Sequence, residues 1–346
     1  MNVDEKLITG VAYHGNRILK HIREDMEDIV RHNMNTVVHM YTHNDWIRRP
    51  KLMADIVKAS EDQGLEVWID NWGMDGGPGD KFFWTAIHPE CKMIFSDGTP
   101  TPFKPCFNQP EFRKFTKSWI DAVGETGCKT LFWDEPCFQK SDDHGWACYC
   151  PTCQKLFEER YNKKMPTEMT DEVAQFRADT LVEYFTEITD YAHENGMINT
   201  GCIMFAPSHG TGMDTIERMV AIPHFDNVGC DPYWRVRTQD PVEIYRYNYE
   251  QTKQNLAFCE KFGKDHNVWL QGYAFPFGRE DEMVIGAEAI YDAGARTILS
   301  WSYFGGESED YRAQNCEMNW AIQGEICAHL RRRHFDKMLD EIRAKI

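Results

Sequence analysis

Residues 227–275 read NVGCDPYWRVRTQDPVEIYRYNYEQTKQNLAFCEKFGKDHNVWLQGYAF, and the way this stretch parses decides the fold. Its two ends, Asn227–Tyr233 and Val268–Phe275, are short runs of β-branched and aromatic residues, the composition of strands. Between them, Asp240-Pro241-Val242-Glu243 has the form of a capping box with proline at the first helical position. Gly263 stands where a left-handed residue closes a helix just before the next strand. The unit is strand, helix, strand.

Outward from there the same alternation recurs. The other candidate strands are Ile8–His14, Thr36–Tyr41, Glu66–Trp72, Thr130–Glu135, Asn199–Phe205 and Arg296–Tyr303. Apolar residues at the helical period separate them: Ile18, Ile22, Met26 and Ile29 in the first helix, and Phe176, Leu181, Phe185 and Ile188 in what reads as the longest. Gly64, Gly127, Gly196 and Gly294 repeat the role of Gly263. Eight strand–helix repeats predict an α/β fold of the (β/α)8 TIM-barrel kind, as a single domain over residues 1–346. A doubly wound open sheet is the competing architecture, but no Gly-rich dinucleotide fingerprint follows an early strand. Two insertions, Gly73–Pro110 after strand three and Pro136–Pro166 after strand four, leave the C-terminal face, where barrels keep their active sites.

The net charge of −17 argues against nucleic acid as a partner, because phosphate binding needs a concentrated positive field. The one dense basic run, Arg331-Arg332-Arg333, reads as the solvated face of a last helix. No stretch approaches the length of a membrane-spanning helix, and the polar start, Met1 to Lys6, leads directly into a strand. Twelve cysteines in a chain read as unsecreted suggest thiols and metal ligands rather than a disulfide framework, which predicts a cytoplasmic protein.

Cys148-Tyr149-Cys150-Pro151-Thr152-Cys153 places three thiols within six residues, a spacing that lets three thiolates converge on one ion. Cys106 and Cys91, in the preceding insertion, are the candidates for a fourth ligand. Cys137 follows the strand end too tightly to turn back easily. Together with Asp134-Glu135-Pro136, Gln154-Lys155-Leu156-Phe157 and Tyr161, this run resembles family 42 glycoside hydrolases, the zinc-containing β-galactosidases. The resemblance covers about residues 106–161. It implies a structural zinc ion and selects Cys106, because the family's fourth cysteine precedes a segment like Phe107-Asn108-Gln109-Pro110-Glu111-Phe112-Arg113. It also implies that Glu135 is the acid/base glutamate. The chain departs from the family as well: Asp134 stands where the family has Asn, and Gln271-Gly272-Tyr273 stands near the place of its nucleophilic Glu at the end of strand seven. The family's domains beyond the barrel have no counterpart in these residues. This marks a divergent relative.

Glycoside cleavage needs a proton donor on the leaving oxygen and a second carboxylate, and carboxylates at barrel strand ends converge on the axis. Asp70, Asp134, Glu135 and Asp231 occupy such ends, with Glu307 after strand eight. Glu135 is the expected proton donor, with Asp231 or Asp134 as its partner. Substrate contacts are expected from Asp70, Trp72, His14, Tyr233, Tyr273 and Trp301, since aromatic planes stack on the C–H faces of sugars. The expected activity is hydrolysis of small glycosides, with a small carbohydrate as partner and a homo-oligomer left open. The alternatives are a barrel lyase or isomerase of sugar derivatives, and a non-catalytic sugar-binding relative.

Overall fold

A computed structural model describes residues 6–74, 84–203 and 213–346. Eight parallel strands close into a barrel: β1 (Ile8–Tyr13), β2 (Thr36–Met40), β3 (Glu66–Asp70), β4 (Thr130–Asp134), β5 (Ile198–Cys202), β6 (Asn227–Cys230), β7 (Asp265–Gln271) and β8 (Thr297–Trp301). They neighbour one another in chain order, and β8 returns to β1. The expected (β/α)8 TIM barrel is therefore the fold.

Contacts divide the chain into two compact units. The first holds Met1–Met40, Ala54–Trp68 and Asn227–Ile346; the second holds Tyr41–Met53 and Ile69–Asp226. Within the first, β1 pairs with β8 from Ile8↔Thr297 to Val11↔Ser300, β1 with β2 from Gly10↔Thr36, and β7 with β8 from Val268↔Ile298. Within the second, β4 and β5 run in register from Thr130↔Ile198 to Asp134↔Cys202. At Gly201 a Cβ would lie 2.7 Å from the Trp133 carbonyl oxygen and 3.1 Å from the Phe225 ring, so this close approach admits only glycine.

The helices obey the periodicities that predicted them. In Asp171–Glu194, Phe176, Leu181, Phe185 and Ile188 are all buried, each contributing about 1.5–3 kcal/mol relative to exposure. The hydroxyl of Thr170 caps that helix by accepting from the Val173 N–H at 3.3 Å. Asp240 caps the helix Pro241–Phe262, its carboxylate accepting from the amides of Val242 (2.8 Å) and Glu243 (3.1 Å). All five helix-closing glycines have positive φ, from 65° at Gly263 to 115° at Gly294.

The sequence reading needs correction in four places. Most strands end earlier than expected, because the aromatic and apolar residues that follow them belong to rim loops: β6 stops at Cys230 before Asp231-Pro232, and β7 stops at Gln271 before Gly272. For the expected strand Asn199–Phe205, Met204 and Phe205 lie outside the described residues. Ile18 is the exposed residue preceding the helix Leu19–Arg31, whose buried face is Ile22, Met26 and Ile29. The longest described helix is Cys316–Arg343, at 28 residues. Its basic run is anchored rather than freely solvated: Arg331 donates to the Asn33 carbonyl (2.7 Å) and Thr9 Oγ1 (2.8 Å), and Arg333 pairs with Glu288 and Asp292. No described helix is long and apolar enough to cross a membrane.

Candidate active site and metal centre

The two insertions both belong to the second unit, and each builds a small ribbon. Lys92–Ile94 pairs with Pro100–Pro105, and Lys140–Ser141 pairs with Gly145–Trp146. A bridge between Phe95 and Ala147, the Tyr149 N–H on the Ile94 carbonyl (2.7 Å), and a His144–Asp97 contact at 2.8 Å pin one ribbon to the other. This places Cys106, just past the first ribbon, against Cys148, Cys150 and Cys153. The four sulfurs lie within 4.8 Å of one another, with Cys106–Cys153 at 3.4 Å and Cys106–Cys150 at 3.6 Å. A tetrahedron with metal–sulfur bonds of about 2.3 Å separates its sulfurs by roughly 3.8 Å, so the set fits one four-coordinate ion. Among the described residues it is the one cluster of its kind. Cys91 is buried but stands outside it, its thiol pushed up to about 11 chiefly by burial.

Local structure prepares the thiols. Cys150 caps the helix Pro151–Tyr161, its sulfur accepting from the Cys153 amide at 3.5 Å. The Asn108 backbone N–H donates to Cys106 and its side-chain amide to Cys153, both at 3.4 Å, and Gln109 reaches Cys150 at 3.9 Å. Hydrogen bonds from the other three cysteines hold the Cys150 thiol far below its ordinary range. At Cys150 these donors favour the thiolate, the form that binds metal, while within the same sulfur network Cys106 and Cys153 are pushed up.

In the same unit, β3 and β4 end in acids. Asp134 is 6% exposed and Glu135 8%. The Asp134 N–H donates to Asn71 Oδ1 at 3.3 Å, and Asp70 Oδ1 accepts from the Trp72 N–H at 2.7 Å. Glu135 stands just beyond β4 with φ 41°, its N–H on the Cys202 carbonyl at 3.2 Å. Because it has left the strand, pleat alternation does not set its direction relative to Asp134; the left-handed turn does. A left-handed φ in a bulky non-glycine residue is uncommon and costs energy that the surroundings must offset. Asn71, fully buried between Asp70 and Trp72, is a residue the sequence did not single out; its role appears only through Asp134 on the next strand.

The first unit carries the aromatic side. His14 meets Trp301 edge-on with ring centroids 4.5 Å apart, Trp301 Nε1 donates to the Tyr311 hydroxyl (3.3 Å), Tyr311 packs on Tyr273 (5.1 Å), and Tyr273 on Tyr233 (5.3 Å). Four of the expected contact residues thus form one arc, with Tyr311 as the joint that sequence reading missed. Glu309, not the exposed Glu307, is the acid of this loop that faces inward, 3.6 Å from His14 Nδ1. Burial lowers His14 to about 3, so its ring is neutral. Asp231, half-buried, follows β6, and its carbonyl accepts from the Tyr233 N–H at 2.6 Å. Tyr41 and Trp234 are buried outright and belong to the core.

Gln271 explains the departure at strand seven. Its Oε1 accepts from the amides of Trp234 and Arg235, both at 3.0 Å, and its Nε2 donates to the Tyr273 carbonyl at 3.2 Å. The side chain ties two rim loops together and needs both an acceptor and a donor, which a carboxylate lacks.

No protein-family model matches the chain, and no curated protein matches it in sequence. Solved structures do resemble it. A β-galactosidase from Bacillus circulans sp. alkalophilus superposes with a TM-score of 0.67 at 14% identity, over 93% of this chain and 56% of that one. A β-galactosidase from the psychrophilic Marinomonas ef1 gives 0.65 at 12%, over 92% and 59%. The endo-1,4-β-mannanase of Rhizomucor miehei gives 0.62 at 10%, over 98% and 97%. The chain spans little more than half the length of the two β-galactosidases. At these identities the likeness establishes the barrel.

Proposed function

We propose that the chain is a glycoside hydrolase-like enzyme that cleaves small glycosides with carboxylates at the C-terminal ends of its barrel strands. The observation that carries the reading is Glu135, a buried carboxylate held in a left-handed turn immediately after β4 and adjacent to the buried Asp134. A carboxyl shielded from water is suited to hold a proton until a leaving oxygen takes it. Asp134, in the same unit, supplies the second carboxylate. The arc of His14, Trp301, Tyr273 and Tyr233 offers C–H-stacking faces and hydroxyls to a sugar. The resemblance over residues 106–161 supports the same assignment. The four cysteines would hold zinc with no coordination position left for water, so the ion's role is to fix the insertions beside β4. Twelve thiols support placement in a reducing compartment such as the cytoplasm.

Assay of the purified protein on a panel of aryl and natural glycosides tests this. Release of reducing sugar that depends on Glu135 is expected. A second reading, isomerisation or elimination on a sugar derivative, is favoured by the structural use of Gln271. It would appear as conversion of a free sugar or uronate with no glycoside turned over.

A further inference from the structure

Among the described residues, two guanidinium groups are buried, and they are held differently. Arg296 donates to the carbonyls of Ala295 (2.7 Å) and Tyr291 (3.3 Å) and lies over the Tyr291 ring. Arg177, 1% exposed, rises from the helix Asp171–Glu194 into the cysteine-bearing insertion. Its Nε donates to the carbonyl of Ala147, the residue before Cys148, at 2.7 Å. Its guanidinium lies 4.7 Å over the ring of Phe138 and 5.8 Å from that of Trp146. Burial lowers the guanidinium to about 10, and the neighbouring thiols of Cys148, Cys137 and Cys153 act in the opposite direction.

A buried cation is costly unless a negative charge answers it, and the converse holds for a buried anion. Four thiolates around one divalent ion carry a double negative charge. The amide donors at this cluster, from Asn108, Gln109 and Cys153, are neutral and relieve that charge only in part. Thiols without an ion carry less negative charge than that and would answer a buried arginine less well. We propose that Arg177 is the counter-charge of a metal–tetrathiolate centre, and a strut that joins this centre to the segment carrying Glu135. The inference rests on the metal reading given above. The strut follows from the same contacts: Phe138, under the guanidinium, lies three residues beyond Glu135, while the Ala147 carbonyl leads directly into Cys148.

Arg177 is on this account a positioning residue, and its test reads the metal rather than turnover. Wild-type, Arg177→Gln and Arg177→Lys proteins are loaded with zinc, and the rate of zinc transfer to a chromophoric chelator is recorded. Near-UV circular dichroism reports the fold. Cobalt(II) substitution reports four-sulfur coordination through its thiolate charge-transfer band. Gln can still donate to the Ala147 carbonyl but carries no charge, so Arg177→Gln is expected to lose zinc about 10–100-fold faster, the usual effect of removing a ligand's supporting partner. Arg177→Lys restores the charge and is expected to release zinc at close to the wild-type rate. A folded Arg177→Gln that releases zinc as slowly as wild type overturns the inference. Should Arg177→Gln not fold, Arg177→Lys decides alone: slow release supports the inference, and release as fast as from a ligand variant such as Cys148→Ser refutes it. A wild-type protein that takes up neither zinc nor cobalt refutes the metal reading and the inference with it, an outcome distinct from bound metal indifferent to residue 177.

Discussion

The strand ends of the two units are built on different principles. Beyond β3 and β4 the rim is acidic: Asp70, Asn71, Asp134 and Glu135 are buried, the Asp70 carboxylate accepts from the Trp72 amide, and the Asn71 side chain and the Cys202 carbonyl hold the backbone of Asp134 and Glu135. Two pinned ribbons and a four-sulfur cluster lie directly behind them in the chain. Beyond β1, β6, β7 and β8 the rim is aromatic, with ring contacts and the Trp301–Tyr311 hydrogen bond linking His14 to Tyr233, and its inward acids are the buried Glu280 and the half-buried Asp231 and Glu309. The first arrangement holds charge in place at a cost in desolvation and strain, which is what reaction chemistry needs. The second presents mainly aromatic planes and hydroxyls, which is what recognition needs.

Breaking the metal cluster should have the largest effect, and it should start on the acidic side. Cys148→Ser is expected to lose bound zinc and to destabilise the protein by more than about 4 kcal/mol, the range of lost metal sites. Chemical denaturation alongside elemental analysis measures both, and hydrogen exchange should show the earliest opening in the insertions around residues 84–161. Unchanged stability with zinc absent from wild type as well would leave the acidic rim without its proposed brace.

Acid should sharpen the contrast from the aromatic side. Burial depresses His14 and His39 to about 3, so below about pH 6.5 the unfolded chain takes up protons that the folded one refuses. Their contribution is therefore constant above that pH and turns against folding as the pH falls from about 6.5 to about 3. His39, whose Nε2 meets Ser60 Oγ at 2.8 Å, gives the cleaner test. His39→Gln should flatten the acid limb by up to about 1.4 kcal/mol per pH unit, one proton's worth. An identical slope in the variant would mean that His39 is protonated in the folded protein.

The smallest effect is expected at Gln271. Gln271→Glu places a carboxylate oxygen against the Tyr273 carbonyl in place of an N–H, which should cost about 1–3 kcal/mol. It should bring no gain in turnover. If it instead created or raised glycosidase activity, the aromatic side would be hosting chemistry and the division drawn above would fail.

The barrel was legible because its signals are local and repeated: Asp240 caps the helix it was read as opening, and the glycines read as helix ends have the left-handed φ that only glycine takes freely. The cluster of Cys106 with Cys148, Cys150 and Cys153 was legible through spacing and resemblance together, since spacing alone left Cys91 open. What sequence concealed was tertiary. Nothing local distinguishes Glu309 from Glu307 or singles out Tyr311, because their roles come from neighbours on other strands. Arg177 reads as one more charged position on an amphipathic helix until the insertion folds over it. Strand ends were overrun because rim aromatics have the composition of strands. The left-handed turn at Glu135 carries no glycine to announce it.

The central claim is that Glu135 donates a proton to a leaving group. The most direct test compares wild type with Glu135→Gln on one glycoside carrying either an activated aryl leaving group or an unactivated alkyl one. The account predicts a loss of about 10²–10⁴-fold in kcat/KM on the alkyl glycoside and a much smaller loss on the aryl one, with the near-UV circular dichroism unchanged. Near-normal turnover of the alkyl glycoside by Glu135→Gln would contradict it.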